Sequence, residues 1–213
     1  MRLVIVAALL LSTVACTINT PARRAPAVYD LGEVPVQAPP VAGSVFDGTL
    51  LVPPVAATVA LDTTRIGYRY AYDDPRQLRA YAESRWAATP ATLMTEALRS
   101  RYAAAGLRVV GPVDGAQASR VLRVALEEYA QTFATPGASR VRVQVRATLL
   151  DARARAVIAQ DTFVMTRDAA PDAAGAASAL AVTTHALIDA LLDWTRQNLN
   201  NRALASTADR SPR

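Results

Sequence analysis

Few side chains in this sequence are equipped for chemistry, and their spacing says how each could act. His185 is the single histidine. A metal site built on several imidazoles is therefore impossible, and a nucleophilic site has one candidate base. Asp189 follows one helical turn later on the same face, so a Ser/His/Asp arrangement can be drawn. The plainer reading, and the favoured one, is a partly buried or surface position on the last helix. Asp73-Asp74 precedes Pro75, which is turn chemistry. Glu127-Glu128 lies in a strand-like stretch where neighbours point to opposite faces, so these carboxylates are not expected to serve one site. The glycines are scattered, no Gly-rich phosphate loop is present, and no Cys/His spacing fits zinc. We expect no catalytic residues, no metal and no enzyme.

The remaining reactive residue is Cys16, the single cysteine, and its chemistry is that of a lipid acceptor. Arg2 gives a positive start, and Leu3 to Leu11 form an unbroken apolar run. That run is far short of the roughly 20 residues a membrane-spanning helix needs. Ala15 then places a small side chain directly before Cys16. This is the order of a lipoprotein signal peptide over residues 1–15, cleaved between Ala15 and Cys16; Thr13 stands where Leu is usual. An ordinary secretory signal leaving a free N-terminal thiol is the competing reading, disfavoured because exposed thiols are reactive. One acyl chain binds a membrane marginally, whereas a triacylated cysteine anchors stably. Residue 17 is Thr rather than Asp. By the sorting rule of enteric-type lipoproteins, that points to the outer membrane, with the domain facing the periplasm. No cofactor is expected beyond the covalent lipid on Cys16.

Composition bounds the rest. The chain beyond residue 15 is long enough for one domain of about 150 residues plus a tether and a tail. All 23 basic residues are arginine, and the net charge is +5, spread along the chain. Together with the abundant alanine this reads as compositional bias, and it does not indicate nucleic-acid binding.

The positioning elements are set by periodicity. Residues 16–28 form a polar, Pro-containing tether. A short strand at Tyr29-Asp30-Leu31-Gly32 opens a domain spanning 29–199. An extended loop over Val34 to Ser44 and a strand at Thr49 to Val52 come next. Arg65 to Tyr70 alternates, Asp73-Asp74-Pro75 turns, and Gln77 to Trp86 is the partner strand, with a helix over Pro75 to Ala88 as the competing reading. Thr89-Pro90 caps and starts a helix whose apolar face carries Leu93, Met94, Ala97, Leu98, Tyr102 and Ala105. Gly106 ends it as a left-handed cap. Leu107 to Val110 is a short strand. Three longer strands come after it at Arg120 to Phe133, Arg140 to Leu150 and Ala156 to Thr166. The last helix covers Asp172 to Asn198, and residues 200–213 form a polar tail expected to be disordered. The fold class is α+β, in two layers: one mostly antiparallel sheet with two amphipathic helices on one face.

Two surface features remain. Tyr68, Tyr70, Tyr72, Tyr81 and Trp86 crowd together in a chain that is 6% aromatic. The core takes most of them, with Tyr68 and Tyr70 inward and Tyr72 the better candidate for a protein or lipid interface. Arg140, Arg142 and Arg146 form the outward row of the cleanest strand. They are a solvated face, or a contact for an acidic partner or lipid headgroups.

Order and spacing then carry a resemblance. Tyr29-Asp30-Leu31-Gly32 comes soon after Cys16; Ile66-x-Tyr68-Arg69 and Tyr81-x-x-x-x-Trp86-Ala87-x-x-Pro90 lead into the Leu93-containing helix. The Gly106-Leu107 helix end, the Leu122-x-Val124-x-Leu126 strand and a closing helix ending near Trp194 complete the series. Over about residues 29 to 196 the chain resembles the auxiliary lipoprotein component of ABC-type transport systems. This family includes the lipoprotein partner of paraquat-inducible MCE (mammalian cell entry) proteins. The resemblance implies a non-enzymatic docking subunit of an envelope machine that moves phospholipid or hydrophobic solutes. Its implied partners are an MCE-domain protein with its permease and ATPase. It leaves room for a homo-oligomer, because those partners form rings. The alternative is an outer-membrane lipoprotein that regulates a cell-wall synthesis enzyme, which a longer tether would favour.

Overall fold

The computed structural model describes residues 25–33 and 46–208. The expected signal peptide, Ala15, Cys16 and most of the expected tether lie outside the described residues, as does the expected loop over Val34 to Ser44. Nine strands and two α-helices are present among the described residues.

The sheet is organised by three long strands, β7 (Arg120–Thr135), β8 (Ala138–Asp151) and β9 (Ala156–Ala169), which form an antiparallel meander. Strand β8 shows why. Val141, Val143, Val145, Ala147 and Leu149 alternate along it, and all five are fully buried. Complete burial of one Val or Leu side chain contributes about 1.5–3 kcal/mol, so slipping the register by one residue would expose the whole row.

On its other edge β7 pairs in succession with three short parallel strands. These are β2 (Thr49–Leu51) at its start, β3 (Ala56–Ala57) in the middle and β4 (Arg65–Tyr70) at its end. β4 forms the expected antiparallel pair with β5 (Arg79–Trp86), which excludes the helical reading of that stretch. Outermost lie β1 (Ala27–Tyr29), parallel to β5, and β6 (Arg108–Val110), parallel to β2. The expected α+β architecture in two layers is present, and its sheet is mixed. The parallel pairs join distant segments, so local sequence does not announce them. The first strand precedes Asp30, because the Asp30 carboxylate accepts from the Gly32 amide (2.8 Å). Gly32, at φ +70°, then turns the chain.

Helix α1 (Pro90–Ala104) begins as its sequence predicts, with Thr89 capping and Pro90 in the first turn. Its end is a Schellman motif. The Leu107 amide donates to the Tyr102 carbonyl and the Gly106 amide to Ala103, with Gly106 at φ +84°. Helix α2 (Ala173–Ala208) buries Ala176, Leu180, Thr184, Leu187, Ile188, Leu191, Thr195 and Leu199 on one stripe. It continues past Asn198, so residues 200–208 of the expected tail are helical. By length and composition its Ala173–Asn201 portion could cross a membrane. Its most apolar window is 56% buried within the domain, as suits the core helix of a two-layer fold. The buried Tyr102 hydroxyl bonds the Thr195 hydroxyl (2.9 Å) and Arg101 meets Asp189 (2.6 Å), locking the two helices together.

One expectation fails here. Leu126 pairs with Val145 but Glu128 pairs with Gln144, so β7 carries a β-bulge at Glu127. The bulge resets the alternation. Leu122, Val124 and Leu126 face the helices before it, and Tyr129, Gln131 and Phe133 face them after it. Glu127 and Glu128 therefore share the outer face instead of opposing each other.

Candidate functional site

The outer face of the sheet carries the charge. Along β8, Arg140, Arg142, Gln144 and Arg146 project from it, opposite in phase to the buried valines. The bulge in β7 sets both glutamates beside them. Glu127 accepts from Gln144 (2.8 Å) and from Arg146, and Glu128 lies 3.6 Å from Arg69 of β4. Arg142 donates to Gln144 (2.8 Å), and Arg140 stands 3.8 Å from Asp168 of β9. The hydrogen bond from Gln144, aided by the one from Arg146, holds the Glu127 carboxyl below the usual carboxylate range despite the opposing effect of burial. Each predicted interface arginine thus has a local partner, ionic for Arg140 and Arg146 and a neutral amide for Arg142, and together they make a polar surface. Exposed pairs of this kind contribute about 0–1 kcal/mol each. Their use is to present directional hydrogen-bonding groups.

The helix-bearing face ends differently. Tyr68 and Tyr70 stand two residues apart on β4 and so share a side. The parallel register places Tyr68 opposite Gln131 and Tyr70 opposite Phe133. Ring centroids lie 4.7 Å apart for Tyr68–Tyr81, 5.3 Å for Tyr70–Phe133 and 5.3 Å for Tyr70–Tyr72, and the Arg79 guanidinium sits 4.9 Å over the Tyr70 ring. Because α2 starts only at Ala173, Tyr68, Tyr70 and Tyr81 remain partly exposed, and Tyr72 is 49% exposed. Trp86 instead lies in the core against Tyr129 (5.7 Å). The four interface candidates do not come together: Tyr72 belongs to this aromatic end, and the three arginines to the opposite face.

Sequence reasoning missed the residue that braces this end. Gln131 is fully buried. Its carbonyl accepts from the Tyr81 hydroxyl (2.6 Å), and its amide donates to Ser139 Oγ (2.7 Å) and the Ala170 carbonyl (2.8 Å). Burial, then the neighbouring Tyr68, raises the Tyr81 pKa above the ordinary phenol value. A polar residue between Tyr129 and Phe133, out of phase with Leu126, was the available signal.

The catalytic candidates disperse. His185 Nε2 lies 2.9 Å from the Leu31 carbonyl, tying the β1 segment to α2, while the Asp189 carboxylate is occupied by Arg101. Among the described residues no group of three or more His, Cys, Asp or Glu is placed to hold a metal. An open cleft of about 340 Å³, lined by Leu61, Arg65, Leu78, Arg79, Pro90 and Tyr129 among others, is at the small end of ligand sites.

The family model for the ABC-type transport auxiliary lipoprotein component matches residues 29–191, which is most of the chain and nearly all of the described domain. The chain belongs to this family. Solved structures agree on the fold of this auxiliary component. A Xanthomonas campestris protein is similar with a TM-score of 0.72 at 20% identity, over 83% of this chain and 98% of its own. A hypothetical protein of Chlamydia trachomatis is similar with a TM-score of 0.52 at 9% identity, over 72% and 98%. Comparison with curated proteins finds no match.

Proposed function

We propose that the chain is a lipid-anchored docking subunit of an ABC transport system in the cell envelope. In this reading it serves an MCE-type assembly that moves phospholipid or hydrophobic solutes. The observation that carries the reading is the family match over residues 29–191. The fold adds support, because its conspicuous surfaces are a polar sheet face and an aromatic end, which suit binding. Cys16 is the anchor in this reading, and the outer membrane is its location. The protein works by adhesion: the anchor confines the domain to a membrane plane and raises its effective concentration at a partner.

Cys16→Ser in the native host tests the reading. The wild-type chain should fractionate with membranes, begin at Cys16 and carry acyl mass. The variant should fold, appear soluble in the periplasm and fail to complement a deletion strain. A soluble, unacylated wild-type chain, or full complementation by the variant, would contradict it.

A further inference from the structure

Three connections gather at one end of the sheet. β4 finishes at Tyr70, β5 starts at Arg79, β7 turns into β8 between Thr135 and Ala138, and β9 passes into α2 between Ala169 and Ala173. The aromatic cluster lies at this end. The chain also enters from this side. β1 runs parallel to β5 with Ala27 opposite Ser84, so residues preceding Ala27 approach from the Tyr81 end of β5.

The registers place Ala25 roughly level with Tyr129 and its β8 partner Val143. Along β8, at about 3.3 Å per residue, that is about 17 Å from Ala138 at the aromatic end and about 26 Å from Asp151 at the other. From Cys16 to Ala25 the chain spans at most about 32 Å. A lipid on Cys16 therefore reaches the plane of the aromatic end, which is the nearer one and the one β1 is entered from, with slack.

The chemistry of the reachable end fits a membrane interface. Tyrosine presents an apolar ring and a polar tip, the combination enriched where headgroups meet acyl chains. Tyr72 and Leu78 are exposed there. The charges nearby are balanced: Arg76 pairs with Asp74 (3.0 Å) and Arg79 with Asp73 (3.1 Å). Attraction to anionic lipid is thus not the driving force.

We propose that this end, centred on Tyr68, Tyr70, Tyr72 and Tyr81, rests in the headgroup layer of the bilayer that holds the Cys16 lipid. The polar sheet face and the distal end stay free for protein partners. The inference rests on the Cys16 anchor of the proposed function.

The test uses the full lipidated chain in phosphatidylcholine vesicles, with a nitroxide on Ala71→Cys beside the tyrosines or on Ala154→Cys in the β8–β9 turn. Intact mass and flotation first report whether the chain is acylated and vesicle-bound. Collision rates with oxygen and with a water-soluble nickel chelate then report where each label lies. The expected result is an oxygen-to-nickel ratio several-fold higher at position 71 than at 154. Tyr70→Ser/Tyr72→Ser should lower it toward the aqueous value, and adding anionic lipid should leave it unchanged. A vesicle-bound chain with both labels equally aqueous overturns the inference and leaves the anchor standing. Dipolar broadening between labels at position 71, without oxygen enrichment, assigns the patch to a second copy and also overturns it. A chain of unacylated mass that does not float removes both readings together.

Discussion

Replacing Gln131 by leucine probes the brace beneath the aromatic end. The side chain is fully buried and makes three hydrogen bonds, to Tyr81, Ser139 and Ala170. Each contributes about 0.5–1.5 kcal/mol net, and leucine returns part of that through apolar burial in a similar volume. One of the partners is not stranded, because Ser139 keeps its bond to the Ala169 carbonyl (2.9 Å). The Tyr81 hydroxyl loses its acceptor and the Ala170 carbonyl its donor. The expected loss is about 2–3 kcal/mol, or about 5–10 °C in melting temperature for a domain of this size. Urea denaturation followed by circular dichroism, on the soluble Cys16→Ser chain, measures it. Gln117→Leu in an exposed loop should change stability by about 0.5 kcal/mol or less. A Gln131→Leu loss no larger than the Gln117→Leu change would refute the brace.

The same packing makes three further outcomes testable. Thr195→Val strands the buried Tyr102 hydroxyl and should cost about 1–3 kcal/mol, while adding Tyr102→Phe should recover part of it; a double variant less stable than Thr195→Val in urea titration contradicts the pairing. Burial raises the pKa of Tyr102 and Tyr129 above the ordinary phenol value. The folded state therefore holds these protons longer than the unfolded one, so stability is complete below about pH 10 and falls as pH rises beyond it. Urea midpoints between pH 8 and 11 should show that decline, less steeply in Tyr129→Phe, and a flat profile would count against it. Gly106→Ala forces a β-carbon into the left-handed conformation and should cost about 1 kcal/mol; an unchanged thermal midpoint would show that the helix end relaxes.

Much of this architecture was readable where one residue's neighbours decide its state. The alternation along β8 predicted its buried row because strand geometry alone separates the two faces. Thr89-Pro90 and Gly106 marked both ends of α1 because caps are local. Long-range pairings left no such trace. β1 finds β5, and β2 finds β6 and β7, through hydrogen bonds between segments far apart in sequence. In β7 the apolar phase changes between Leu126 and Tyr129. Read without a bulge, that stretch sent Glu127 and Glu128 to opposite faces and left Gln131 unnoticed. The interface candidates suffered similarly: alternation puts Arg140, Arg142 and Arg146 on one face, but cannot say that Tyr72 lies on the other side.

The central claim is that this lipoprotein serves an ABC transport assembly. Affinity purification of the tagged chain from native membranes, with mass spectrometry of what accompanies it, tests this most directly. The account predicts recovery of an MCE-domain protein together with its permease and ATPase. Recovery of a cell-wall synthase, with no transporter component, would contradict it.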